Sequence, residues 1–144
     1  LEARPAPPDS SWSIPLQIKL FQGGGAVYTT TVVTTDDSGY FQLNDIPVDT
    51  YDVWVKGAHT LAERQNGVSV IVGPAVKLEF GPLLEGDASN DNQIGALDAS
   101  LLSNGYWKSK TQAGYVTGAD FNEDGIIDAR DASLLASNYG LVGD

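Results

Sequence analysis

Cysteine is absent from the 144 residues, which removes both a disulfide framework and thiolate metal ligation. Histidine occurs once, at His59; without an evident partner it reads as a strand-end or surface residue, not a catalytic base. No Ser or Thr stands in a recognisable nucleophile setting, so no enzyme is expected. Basic residues are scarce: 8 Lys and Arg stand against 19 Asp and Glu, a formal net charge of −11. That balance excludes nucleic acid and anionic membrane surfaces as partners. No run approaches the roughly 18 apolar residues a membrane span needs. The opening, Leu1 to Ser10, has no initiator Met and no signal pattern and is Pro-rich, as expected of a piece of something longer.

What is present suffices for a packed fold. Apolar residues make up 42% and charged residues 19%, so a buried core is accessible and wholesale disorder is not expected. The negative charge is uneven. From Glu85 onward there are ten acidic and three basic residues, against nine and five before it. The patterning changes at the same place.

Up to about Leu84 the chain reads as short strands separated by turns. Leu16–Leu20, Tyr51–Lys56, Val68–Val72 and Val76–Phe80 alternate apolar and polar residues. Val27–Thr35 is rich in Thr, Val and Tyr, Asp36-Asp-Ser-Gly39 supplies a turn, and Tyr40–Leu43 follows. The pattern predicts an all-β antiparallel sandwich over residues 12–82, preceded by a Pro-rich linker, 1–11. Trp54, in an alternating strand, is expected in its core. Thr35-Asp-Asp-Ser-Gly39-Tyr-Phe41-Gln-Leu43, Ile46-Pro47 and Tyr51-Asp-Val53-Trp-Val55 together resemble the carboxypeptidase regulatory-like domain, a transthyretin-type sandwich. Asp49-Thr50 stand where that family usually carries Gly. The resemblance implies a spacer or stabiliser in a secreted protein, without peptidase activity.

From Glu85 the pattern becomes loop and helix, written twice. Asp98-Ala-Ser-Leu-Leu-Ser-Asn104 and Asp131-Ala-Ser-Leu-Leu-Ala-Ser137 lie 33 residues apart, and that offset also maps Asp87 on Asp120, Asp91 on Asp124, Ile94 on Ile127 and Tyr106 on Tyr139. Such a repeat is a supersecondary unit in tandem. Oxygen side chains fall at the first, third, fifth and twelfth places of each loop: Asp87, Ser89, Asp91 and Asp98, then Asp120, Asn122, Asp124 and Asp131. With backbone carbonyls from Gln93 and Ile126 at the seventh place, this is calcium-loop spacing, because calcium takes six to eight hard oxygen ligands from a chain curling round it. The sixth place needs φ > 0, which Gly125 meets freely and Asn92 tolerably. At the ninth place Asp128 supplies an oxygen and Gly95 none, so of two calcium ions the one in the first loop is expected to bind more weakly. Ile94 and Ile127 should point into a shared core, joined by Leu101, Leu102, Leu134, Leu135, Tyr106 and Tyr139 at helical spacing. Trp107 either packs over a helix end or joins a partner surface.

An EF-hand places a helix on both sides of its loop and usually Glu last. Here Gly- and Pro-bearing segments precede both loops and Asp stands last, so each loop has one helix, after it. A doubled loop and single helix with a final Asp resembles the dockerin family, of the type I pattern, over residues 85–142 of a second domain placed at 85–144. The resemblance implies calcium-dependent docking onto a cohesin, anchoring an extracellular parent protein to a scaffold or cell surface. The family's contact positions map on Ala96, Leu97, Ser103, Asn104 and Lys108 in the first repeat. In the second they map on Ala129, Arg130, Ala136, Ser137 and Leu141. Leu97 corresponds to Arg130 and Lys108 to Leu141, which argues against binding in two symmetry-related orientations. The unbound chain is expected to be monomeric. The competing expectations are a calcium-rigidified structural or adhesion tail without a cohesin partner, and a carbohydrate-binding module using the sheet's aromatics.

Overall fold

The computed structural model describes residues 1–29 and 32–144. Its first part is a single antiparallel sheet. Strand β1 (Pro15–Gln22) turns through Gly23 and Gly24 into β2 (Gly25–Thr29). Both glycines have positive φ, the conformation a tight hairpin demands and a β-carbon resists. The short β3 (Val33–Thr34) pairs with the start of β1 on the edge that β2 shares. Strand β4 (Asp49–Gly57) takes the opposite edge of β1, and β5 (Glu63–Val70) closes the order β2-β1-β4-β5. The register pairs Ile18 with Val55 and Leu20 with Val53. One face therefore gathers Leu16, Ile18, Leu20, Tyr51, Val53 and Val55, all buried. A fully buried aliphatic side chain of this kind contributes roughly 1.5–3 kcal/mol.

The sandwich expected from the pattern is realised as one sheet with an irregular cover. Tyr40–Leu43 and Val76–Phe80 are not strands, yet Phe41, Leu43, Leu78 and Phe80 pack on the sheet's core while Gln42 and Glu79 face water. Alternation records which side chains face a core; it does not require a neighbouring strand to bond with. The turn Asp36–Gly39, just before Tyr40, forms as the residues suggest. Asp36 Oδ1 accepts the amides of Ser38 and Tyr40, and Gly39 sits at φ +79°, an Asx-type turn.

β4 is buried on both faces. Trp54 lies on the face opposite Val53 and Val55, so it is buried but outside the expected core. There Lys19 stacks over its ring at 4.2 Å and its indole N–H donates to the Asp144 carbonyl at 2.8 Å.

The second part contains two helices, α1 (Ala96–Gly105) and α2 (Ala129–Asn138), of equal length and 33 residues apart. Among the described residues no helix leads directly into the first loop, and only a 3-10 turn, Thr117–Ala119, leads directly into the second. Both helices start from a carboxylate at their third position: Asp98 accepts the Gly95 amide and Asp131 the Asp128 amide, satisfying donors a helix start otherwise orphans. Their inner faces bury Leu102 and Leu135 with Ile94, Ile127, Phe121 and Ala119. Leu61, from the chain leaving β4, completes this second core. Leu101, Leu134 and Tyr106 are half-buried. Tyr139, expected inside, is 55% exposed.

A duplicated candidate metal-loop scaffold

In the first loop, Asp87 is wholly buried and its two oxygens accept the amides of Asp91 and Asn92 at 3.0 and 2.9 Å. Asp91 accepts the Gln93 amide, and Asp98 reaches back to the amides of Ser89 and Gly95. The second loop repeats the scheme. Asp120 accepts from Gly125, Asp124 from Ile126, and Asp131 from Phe121, Asn122 and Asp128. Asn92 and Gly125 take φ of 67° and 89°, as sixth-place residues should. Asn90 and Glu123, at the fourth places, are also left-handed, a strain the spacing alone does not announce.

Each loop pairs with the stretch that follows the other repeat's helix. Ile94 donates to Leu141 O and accepts from Gly140, while Ile127 donates to Lys108 O and accepts from Trp107. Since residues 107 and 108 map on 140 and 141 under the repeat offset, each loop bonds to the segment after the other repeat's helix. This reciprocity is the signature of an approximate two-fold relation. It buries both isoleucines at 0–1% exposure. Trp107 holds a φ of 61° at the position where Gly140 holds 87°; it is 68% exposed and packs edge-on to Tyr106.

The donor chemistry suits calcium more completely in the second loop. Asp120 Oδ1 is buried with no hydrogen-bond partner among the described residues, an arrangement that costs free energy unless a cation or donor meets it. Burial, opposed by three backbone amides, and the nearby Asp120 charge raise the Asp131 pKa. Burial and Asp120 also raise that of the Tyr115 phenol, which donates to Asp120 Oδ2 at 2.5 Å. No group of three or more Asp, Glu or His side chains placed to hold a metal occurs among the described residues. The set with calcium spacing relies equally on Ser89, Asn122 and the carbonyls of Gln93 and Ile126.

A buried polar cluster that sequence reasoning missed joins the sheet to the loops. His59 stands two residues past the end of β4, one of the two placements expected of it, but at 7% exposure it is not on the surface. Its Nδ1 meets Glu85 Oε2 at 2.6 Å and its Nε2 meets Glu123 Oε1 at 3.2 Å. Arg4 pairs with Glu85 at 3.1 Å, and Glu2 accepts from the Glu85 amide and from Asn138. No local pattern marks these partners, which lie 26 to 136 residues apart.

Burial alone would lower the His59 pKa, but the hydrogen bonds and charges of Glu123 and Glu85 raise it to about 9. Because the folded value lies above the ordinary 6.5, this stabilisation is complete below pH 6.5 and is lost as pH rises through 9. The expected loss is on the order of 3 kcal/mol. Denaturant melts at pH 6 and 9.5 check it: the difference should shrink markedly in His59→Gln, and an equal difference in both proteins would refute the assignment.

The positions expected to contact a partner lie on the outer faces. Ala96, Leu97, Ser103 and Asn104 on α1 and Ala129, Arg130, Ala136 and Ser137 on α2 are exposed, as is Leu141, while Lys108 is half-buried. Ser100 and Ser133 complete the same faces at helical spacing. Arg130 reaches Asp124 at 3.0 Å in an exposed ion pair, which contributes little to stability.

Comparison with known proteins agrees with this geometry. Residues 85–138 match the model of the dockerin type I domain. Across 90% of the chain, the structure resembles a chain of the Coh3ScaB–XDoc_M2ScaA complex, a C-terminal interface mutant of the type II cohesin–X–dockerin complex from Acetivibrio cellulolyticus. The TM-score is 0.69, the identity 25%, and 83% of that chain is covered. The N-terminal interface mutant of the complex, Coh3ScaB–XDoc_M1ScaA, matches over 96% of this chain and 87% of its own, with TM-score 0.65 and 25% identity. No curated protein matches the chain. No helix among the described residues is long and apolar enough to cross a membrane.

Proposed function

We propose that this chain is a non-catalytic docking unit whose loop–helix repeats bind a cohesin in calcium-dependent fashion, with the sheet as its stabilising spacer. The observation that carries the reading is the reciprocal pairing of each loop with the segment that follows the other repeat's helix, in the part of the chain that matches a dockerin model over residues 85–138. The likeness to chains of cohesin–X–dockerin complexes supports the same partner. Asp87, Ser89, Asp91, Gln93 O and Asp98 would hold one calcium ion. Asp120, Asn122, Asp124, Ile126 O, Asp128 and Asp131 would hold the other. Bound calcium neutralises loop carboxylates that otherwise repel one another; the protein's part is to aim them, through the amide bonds described above.

The sheet is best taken as the counterpart of the X part of those complexes, because the structural match runs through it. The carboxypeptidase regulatory-like resemblance carries less weight, since two of its expected strands are irregular. In this reading the unit belongs to an extracellular protein and anchors it to a scaffold or cell surface. The ten outward residues on and beside α1 and α2 form the contact face.

Calorimetric titration against a panel of type I and type II cohesins tests the proposal. Binding to at least one cohesin is expected with calcium present, weakening at least a hundredfold in chelator. Failure to bind any cohesin in calcium would favour a calcium-rigidified tail instead.

A further inference from the structure

The two loops differ in a way their ligand lists do not reveal. Asp87, at the first place of the first loop, meets a lysine from the sheet: Lys56 Nζ donates to Asp87 Oδ2 at 2.7 Å, to Thr60 O at 2.6 Å and to Gly57 O at 3.3 Å. Three acceptors match the three protons of an ammonium. Both side chains are buried, at 8% and 0% exposure. The corresponding Asp120 of the second loop has no ion pair among the described residues. Its Oδ2 takes the Tyr115 hydroxyl and the Gly125 amide, and its Oδ1 has no partner.

We propose that Lys56 is a built-in counter-ion for the first loop, fixing Asp87 without metal and setting that loop's calcium affinity below the second's. The inference rests on the calcium reading above and deepens it. Charge supports it. The first loop brings three carboxylates (Asp87, Asp91, Asp98) and a buried ammonium beside the first of them. The second brings four ligand carboxylates (Asp120, Asp124, Asp128, Asp131), none bonded to a buried cation among the described residues: Arg130 meets Asp124 in solvent, and His59 and Arg4 meet Glu123, outside the ligand set. An ammonium bonded to a ligand carboxylate repels an incoming dication and withdraws electron density from its donor. Both effects are stronger in a buried site than in water. Preorganisation of Asp87 works the other way, but the loop's amides already fix both of its oxygens, so charge dominates. The sheet thereby sets the properties of a metal loop 31 residues away.

Calcium titration of the whole chain by calorimetry tests this, with thermal melts in calcium and in chelator. The unaltered chain should show two classes of site. Lys56→Met should tighten the weaker class at least tenfold and leave the tighter within twofold. It should also widen the gap between the calcium and chelator melting temperatures. Lys56→Arg, which keeps the charge, should leave both classes near their original values. Should Lys56→Met fail to fold, Tyr115→Lys supplies the converse: an ammonium beside Asp120 should weaken the tighter class at least tenfold. A weaker class unshifted or loosened in folded Lys56→Met overturns the proposal, as does an unshifted tighter class in Tyr115→Lys. Absence of any calcium binding by the unaltered chain overturns the functional reading as well, so the two failures are distinguishable.

Discussion

Asp131→Ala should abolish calcium binding in the second loop and lower stability by about 4–5 kcal/mol when calcium is present. The side chain is wholly buried and accepts three amides, from Phe121 at 2.7 Å, Asp128 at 2.9 Å and Asn122 at 3.3 Å. Hydrogen bonds to a charged acceptor contribute about 1.5–3 kcal/mol each. Their sum is an overestimate here. Burial and the neighbouring Asp120 raise the Asp131 pKa, so the metal-free carboxylate already carries a penalty that Ala relieves. About 2 kcal/mol should therefore be lost in chelator. In calcium at 100 times the dissociation constant, loss of the bound ion adds about 2.7 kcal/mol. Asp131→Asn keeps the shape and one acceptor oxygen, so it should lose the ion with a smaller change in chelator. Denaturant titrations in both buffers separate these contributions; a chelator value unchanged in Asp131→Ala would show that the three amide bonds contribute nothing net.

Removing calcium from the unaltered chain should lower its melting temperature by about 10–20 °C, as one cooperative transition. Two sites held at 100 times their dissociation constants contribute about 5 kcal/mol together, and a domain of this size shifts by roughly 2–4 °C per kcal/mol. The size of the effect follows from the sequence, but its cooperativity does not. Acidic loops read in isolation suggest that a chelator unfolds the repeats and spares the sheet. The structure ties the two parts through Lys56 and Asp87, through His59 with Glu85 and Glu123, and through Leu61 in the repeats' core. Breaking one partner of a buried ion pair typically costs 3–5 kcal/mol, so neither part should melt far ahead of the other. Differential scanning calorimetry with and without chelator checks this. Two separated transitions would show that the joint is weak.

The repeats were highly legible because their constraints are local. A loop that curls back within twelve residues must place its oxygens at fixed intervals, and the left-handed turns at Asn92 and Gly125 follow from the same geometry. Equal helices at Ala96–Gly105 and Ala129–Asn138 follow from caps and apolar spacing written into each repeat. The sheet was less legible. Its pattern placed Phe41, Leu43, Leu78 and Phe80 inward correctly, but not the exposed Val76 or the segments' lack of ladder partners, because backbone pairing depends on a neighbour elsewhere in the chain.

The sequence by itself thus determined the doubled loop and helix, the spacing of its oxygen donors and the apolar alternation of the segments ahead of it. All of these arise from interactions between residues a few positions apart. Only the tertiary structure decided what the loops meet. It set Ile94 against Leu141 and Ile127 against Lys108, buried His59 between two carboxylates, and placed Lys56 on Asp87 but no cation on Asp120. Such pairings join residues far apart in the chain, so no local period encodes them. They are fixed by two cores packing together, and by the cost of leaving any charge they bury without a partner.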